Sequence, residues 1–193
     1  MNILNLLKEH QTVMSQLEQA IPLIEQASEQ IFQAIERGGK VFFMGNGGSA
    51  ADAQHLAAEL VGRFYAERRA LPGISLSTDT SVLTCLTNDY DYSIVFSRQL
   101  EALCRAGDVV VGLSTSGNSP NVLKAMVVAK KLGAYTIGMA GQSGGQLAKE
   151  VDLCFCVPST NTPRIQEAHI FIGHTICEIV EKMVVKTDEA CIS

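Results

Sequence analysis

The sequence predicts an α/β three-layer sandwich: a five-stranded parallel sheet flanked by helices, with a helical extension at the N-terminus. Three observations predict it. Five short apolar runs alternate with helical stretches along the chain. The runs are apolar almost throughout rather than alternating apolar and polar, as strands buried on both faces of a parallel sheet must be. The two loops richest in glycine and serine, 45–49 and 114–119, each follow one of these runs, at the carboxyl ends of strands where such sheets bind ligands.

The elements follow in order. Residues 3–37 hold no glycine and one proline, and Leu17, Ile21, Ile24, Ile31 and Ile35 recur at helical spacing. Pro22 marks a break or a new start, and Gly38-Gly39 stops the helix. Lys40–Met44 reads as the first strand. "GNGGSAADAQHLAAEL", 45–60, is a turn running into a helix, and Ser49 with Asp52 fits a capping box. Gly73–Ser77 is a strand, and 80–105 is helical in pieces around Asn88-Asp89-Tyr90-Asp91. Asp108–Leu113 is a strand, and 120–132 is a helix ended by Gly133. Ala134–Met139 is a strand, 143–150 a short helix, Asp152–Val157 a strand and 164–186 a long final helix. At 193 residues the chain reads as a single domain spanning 1–193.

Composition narrows the function classes. The net charge of −5 and the scattered Lys and Arg residues argue against a nucleic-acid surface. No apolar run is long enough to cross a bilayer, and the N-terminus lacks the pattern of a signal peptide, so a cytoplasmic location is expected. The six cysteines, Cys85, Cys104, Cys154, Cys156, Cys177 and Cys191, form no C-x-x-C. In that compartment they read as free thiols, with Cys154 and Cys156 on one face of a strand.

Two loops carry candidate chemistry. In "STSGNSP", Ser114–Pro120, Ser119 is placed to cap a helix with Pro120 at its first position. Ser114, Thr115, Ser116 and Ser119 bring four hydroxyls to that helix N-terminus, which favours an anion. With no Lys or Arg in the loop, a sugar phosphate suits it better than a triphosphate; a capped serine-rich turn is the simpler reading. "GNGGSA" matches neither the dinucleotide-binding nor the P-loop pattern. Its glycines serve a tight turn or a close approach of backbone to a ligand. His55 and Glu59, at i and i+4, share a helical face. They read either as a solvated surface pair or as metal ligands or a base with its orienter. In "RIQEAHIFIGH", Gln166 and His174 are about 80° apart around the helix. His169 projects elsewhere and reads as structural, and His174 reads either as a core histidine or as a ligand.

Taken together, "GNGGSAADAQH" and "STSGNSPNV" resemble the sugar isomerase (SIS) domain, a flavodoxin-like fold. With His55, Glu59, Thr87-Asn88-Asp89 and "RIQEAHIFIGH" the chain resembles the phosphoheptose (sedoheptulose 7-phosphate) isomerase family over nearly its whole length. The resemblance implies a homotetramer, with helices 1–37 used in assembly and active sites between subunits. It implies interconversion of sedoheptulose 7-phosphate and D-glycero-D-manno-heptose 7-phosphate, the first committed step toward the heptose of lipopolysaccharide.

The same resemblance implies residue roles. Asn46, Gly47 and Gly48 contact substrate, Asn88 and Asp89 contact sugar hydroxyls, and Ser114, Thr115, Ser116 and Ser119 hold the phosphate. His55, Glu59, Gln166 and His174 bind one zinc ion per subunit, and Glu59 and Gln166 also touch substrate. Glu59 is the base at carbon and His174 exchanges protons with the sugar oxygens. Pro163 stands where some relatives carry an acid. A rival class of SIS relative is a non-catalytic tetramer that binds the replication initiator protein. It lacks the full histidine and glutamate set that this chain carries.

Overall fold

The computed structural model describes residues 2–192. Helix α1 (Ile3–Gln16) leads through a 3₁₀ turn (Leu17–Ala20) into α2 (Ile21–Glu36). Strand β1 (Val41–Gly45) is followed by α3 (Gly48–Val61) and β2 (Gly73–Ser75). Helices α4 (Thr80–Asp89) and α5 (Ser97–Leu103) precede β3 (Val109–Leu113). Then come α6 (Pro120–Lys131), β4 (Tyr135–Ala140), α7 (Leu147–Glu150), β5 (Leu153–Cys156) and α8 (Thr162–Ile192). The sheet order is β2-β1-β3-β4-β5 and every pair is parallel. This is the flavodoxin-like order, whose direction reverses between β1 and β3.

Strand residues alternate between two cores because successive side chains leave opposite faces of a sheet. Val41, Phe43, Val109, Val111, Ile137, Met139 and Phe155 pack against α2, α3 and α8. Phe42, Met44, Val110 and Ala140 pack against α5, α6 and α7. Each fully buried Phe, Leu or Met contributes about 1.5–3 kcal/mol relative to exposure. Both faces are thereby filled, which is why the strands read as unbroken apolar runs.

Several boundaries differ from the sequence expectation. The break between the first two helices falls at Leu17–Ala20, before Pro22, which sits in the first turn of α2, where its missing N–H costs nothing. The expected helix 143–150 is only Leu147–Glu150, because Gly144 and Gly145 take left-handed backbone. The last helix starts at Thr162 and accommodates Pro163 in its first turn. The capping box at Ser49 and Asp52 is not formed. Gly47 caps α3, Ser49 is already inside the helix and buried, and Oδ2 of Asp52 is buried without a partner. Cys85, Cys104, Cys154, Cys156 and Cys177 are free thiols, as expected; Cys191 lies outside the described side chains.

The segment between α3 and β2 is held by one buried carboxylate. Glu181 of α8 accepts hydrogen bonds from the backbone N–H groups of Phe64, Tyr65 and Ala66 at 2.7–2.9 Å. The Arg68 guanidinium pairs with it at 3.3 Å, both side chains being almost fully buried. Burial opposes ionisation of Glu181, but those N–H groups and Arg68 outweigh it and hold the carboxyl below its usual range. Arg68 also donates to the carbonyls of Glu59, Leu60 and Gly62, satisfying the otherwise open C-terminus of α3.

His169 is structural, as expected. It is fully buried, and its Nε2 donates to the Ala140 carbonyl at 3.2 Å. Burial pulls its imidazole down to about 4. An unfolded chain protonates this histidine below about 6.5, so between these values the unfolded state binds more protons and stability falls as pH drops. The expected loss from His169 is about 3 kcal/mol by pH 4. Urea denaturation at pH 7 and pH 4.5 checks it, with His169→Asn expected to lose less stability across the interval than the parent protein.

Candidate active site

Strands β1 and β3 pair in register, Gly45 beside Leu113, so the two candidate loops leave the sheet side by side where the strand order reverses. Gly47 enters α3 with φ +57, which favours glycine. A Cβ on Gly48 would lie 2.6 Å from Nε2 of Gln166. Gln166 of α8 is therefore seated directly on the glycine turn, and any side chain at 48 would push it away.

Asn46 does not offer a free side chain. It and Asn121 of α6 exchange amide hydrogen bonds at 3.0 and 2.8 Å, and the Tyr92 hydroxyl donates to the same Asn46 oxygen at 3.0 Å. The sequence pattern does not signal Tyr92 or Asn121. Both lock the turn, leaving the backbone at 46–48 as the face open to a ligand. Asn88 and Asp89 end α4 in an exposed position, joined at 2.8 Å, and Cys85 donates to Asp89.

The serine loop is a hydroxyl cluster. Oγ of Ser114 lies 2.9 Å from Oγ of Ser119 and 3.5 Å from Oγ of Ser116. Ser119 occupies the N-cap position of α6 but makes no side-chain cap bond. Its hydroxyl turns inward to Ser114, correcting the expectation that it caps the helix, and Oδ1 of Asn121 instead accepts from the Val122 N–H at 3.0 Å. An adjoining cavity of about 410 Å³ is lined by Thr115 and Ser116 together with Gln142, Ser143, Ser159 and Thr160. The last four come from the loops after β4 and β5 and carry no local sequence signal. The arrangement of hydroxyls and backbone at a helix N-terminus suits a phosphate group.

The second constellation lies further along α3. Nε2 of His55 is 2.9 Å from Oε1 of Glu59 and 3.1 Å from Nε2 of His174. Donor atoms of His55, Glu59 and His174 all lie within 4.8 Å of one another. His174 also packs against Phe64, ring centroids 5.6 Å apart. Burial and the neighbouring His55 pull His174 below its ordinary value, against the opposing pull of Glu59, a direction that favours the neutral imidazole needed for ligation. Two imidazole nitrogens and a carboxylate oxygen form a donor set suited to a borderline divalent ion such as Zn²⁺.

Gln166 is not beside this trio. On α8 it precedes His174 by eight residues, about 12 Å along the axis, and its amide meets Gly48 instead. Gly48 and Glu59 are eleven residues apart on α3, about 16 Å. One chain thus presents the phosphate-type loops and Gln166 near one end of α3, and the trio toward the other.

Comparison with known proteins gives one consistent picture. A family model described as the SIS domain matches residues 6–141. The phosphoheptose isomerase of Roseiflexus sp. (strain RS-1) is 55% identical over 166 residues, covering 86% of this chain and 84% of that protein. That of Pelobacter propionicus is 58% identical over 161 residues, covering 83% and 85%. Among solved structures, the phosphoheptose isomerase from Neisseria gonorrhoeae superimposes with a TM-score of 0.88 at 40% identity, covering 93% of this chain and 97% of the other. The Francisella tularensis enzyme gives 0.87 at 33% identity, covering 93% and 96%.

Proposed function

The chain belongs to the phosphoheptose isomerase family of SIS-domain proteins, and on that premise we propose that it interconverts sedoheptulose 7-phosphate and D-glycero-D-manno-heptose 7-phosphate in the cytoplasm. The observation that carries the reading is the His55–Glu59–His174 trio in a protein that also presents a hydroxyl-lined loop at a helix N-terminus. The trio also sets the chain apart from the initiator-binding class of SIS relative. Incubation with sedoheptulose 7-phosphate, followed by NMR, tests the reading: the aldose signal grows to equilibrium if it holds and never appears if it fails.

The residues account for each proton. Starting from the ketose, Glu59 takes a proton from C1 while His174 gives one to the oxygen on C2, leaving an enediol. His174 then takes the proton from the oxygen on C1 as Glu59 returns the carbon-bound proton at C2, and the aldose results. Asn88, Asp89 and the backbone at 46–48 orient the sugar, with Gln166 against the same turn. Ser114, Thr115, Ser116 and Ser119 hold the phosphate. His55, Glu59 and His174 would hold the ion, assigned here as one Zn²⁺ per subunit, which when bound supplies Lewis-acid polarisation of the carbonyl.

The separation of the two constellations supports a site completed between subunits. One copy would supply the phosphate loop and the glycine turn, and its neighbour the trio. The partner subunit's Gln166 would then join His55, Glu59 and His174 in holding the ion. The exposed Ile3, Leu4, Leu6 and Leu7 of α1 support use of the N-terminal helices in a homotetramer. Light scattering should give a mass of four chains. Mixing unfolded Glu59→Gln with unfolded Ser116→Ala and refolding them together should produce a fraction of sites with the unsubstituted protein's kcat/KM, which neither variant alone has, because hybrid interfaces contain one intact site. Verified hybrids without such a fraction contradict a shared site.

Ser116→Ala and Ser119→Ala should each weaken phosphate binding by ~0.5–1.5 kcal/mol, the worth of an ordinary hydrogen bond, read as a raised KM. Because the Ser119 hydroxyl does not cap α6, Ser119→Ala should leave the melting temperature nearly unchanged. A normal KM in both variants contradicts the phosphate assignment.

A further inference from the structure

Apart from the proposed active site, β5 carries two thiols on one face. Cys154 and Cys156 are two residues apart on this edge strand, so their side chains leave the sheet on the same side. Their sulfurs lie 4.0 Å apart; Cys156 is exposed and Cys154 half-buried. The strand is held extended by pairing with β4, Gly138 beside Cys154 and Ala140 beside Cys156. Extended residues two apart have Cα atoms roughly 6.6 Å apart, at the long limit for a disulfide. A single bridging atom with longer bonds to sulfur fits the spacing better than a direct S–S bond.

The thiols lie beneath a segment that backs the serine loop. A Cβ on Gly144 would come 2.9 Å from Sγ of Cys156, and one on Gly117 would come 2.2 Å from the Gly144 carbonyl oxygen. The N–H of Leu147 donates to the Gly117 carbonyl at 2.9 Å, and that of Gln146 to Oδ1 of Asn118 at 3.1 Å. Cys156, Gly144 and Gly117 are stacked without slack, and Gly117 lies between Ser116 and Ser119.

We propose that Cys154 and Cys156 form a two-thiol site for soft, thiophilic acceptors of the trivalent-arsenical class, and that its occupation displaces the serine loop. With phenylarsine oxide, two S–H bonds break, two As–S bonds form and the oxygen leaves as water, with no change of oxidation state. The exposed Cys156 engages first. Burial and the neighbouring Cys156 push the Cys154 thiol up to about 12, so Cys154 is a poor nucleophile toward free reagents. It closes the ring because the tethered arsenic is held beside it at high effective concentration. The added atom enlarges the layer under Gly144, and the displacement passes to Gly117.

Intact mass spectrometry of the full chain tests the site, and this readout is independent of the proposed isomerase activity. Incubation with phenylarsine oxide followed by excess glutathione should leave one phenylarsenic group per chain, released by a dithiol. C154S and C156S should each lose this monothiol-resistant adduct. Its absence from the parent protein, or its persistence in both variants, overturns the site. The effect on the loop rests on the reading of that loop as the phosphate cradle. Arsenical uptake should raise KM for sedoheptulose 7-phosphate severalfold in the parent and leave it unchanged in C156S. An unchanged KM at full occupancy overturns the coupling while leaving the two-thiol site standing.

Discussion

Glu59→Gln lowers kcat by about 10²-fold or more, the range that a general base commonly contributes, while the fold is retained. Gln keeps the size of the side chain and a carbonyl oxygen that can still accept a hydrogen bond, but it cannot take a proton from carbon. Glu59 is half-buried, with its carboxylate 2.9 Å from His55, so the substitution disturbs little packing. His174→Gln should cost a comparable factor, because proton exchange at the sugar oxygens needs a group that gives and takes protons near neutral pH. His55→Ala acts differently. It removes a ligand and not a proton carrier, so its main expected effect is loss of metal content. Steady-state kinetics with metal analysis on the three variants separates these roles. Wild-type kcat in Glu59→Gln would leave the trio as a structural metal clip.

Glu181→Ala gives the largest expected loss of stability, about 3–5 kcal/mol, the usual cost of removing one partner of a buried charge pair. The variant leaves Arg68 buried at 2% exposure without its carboxylate and strips three N–H groups of their acceptor. For a chain of this size a loss of that order lowers the melting temperature by roughly 10 °C or more. Arg68 also holds the Glu59 carbonyl at 2.9 Å, so the same change should lower kcat by loosening the end of α3. Glu181→Gln, which keeps an acceptor oxygen, should lose less. Thermal melts followed by circular dichroism check it, and a Glu181→Ala melt within a degree or two of the parent would mean that the brace carries no stability.

The extent to which this fold can be read from sequence follows from the range of the interactions. The strands were legible because Val41–Gly45 and Val109–Leu113 are buried along their whole length, which leaves an apolar run in the sequence itself. His55 and Glu59 were legible as a pair because one helical turn fixes their separation. What joins them to His174, however, is the packing of α3 on α8, 119 residues away, and the family resemblance supplied that link. Glu181 had no local signal at all, since the N–H groups it holds lie 115 to 117 residues earlier. Ser49 and Ser119 misled for the opposite reason. Each sits where a capping pattern is locally favourable, but Gly47 starts α3 two positions early, and Ser114 captures the Ser119 hydroxyl across the loop at 2.9 Å. Tyr92 and Asn121 carry no sequence signal because a tyrosine in a polar turn and an asparagine at a helix start are ordinary there, and only the folded chain brings both to Asn46.

If Glu59 moves a proton between adjacent carbons of a sugar phosphate, that carbon-bound hydrogen becomes exchangeable with solvent during turnover. Deuterium incorporation from D₂O into sedoheptulose 7-phosphate, read by proton NMR, tests it most directly. The parent protein should exchange hydrogen for deuterium at C1 of the ketose and C2 of the aldose during turnover. Glu59→Gln, with correct fold and metal content, should exchange neither. Exchange at the parental rate in Glu59→Gln would contradict that role of Glu59, because the proton would then be leaving carbon without the carboxylate proposed to take it.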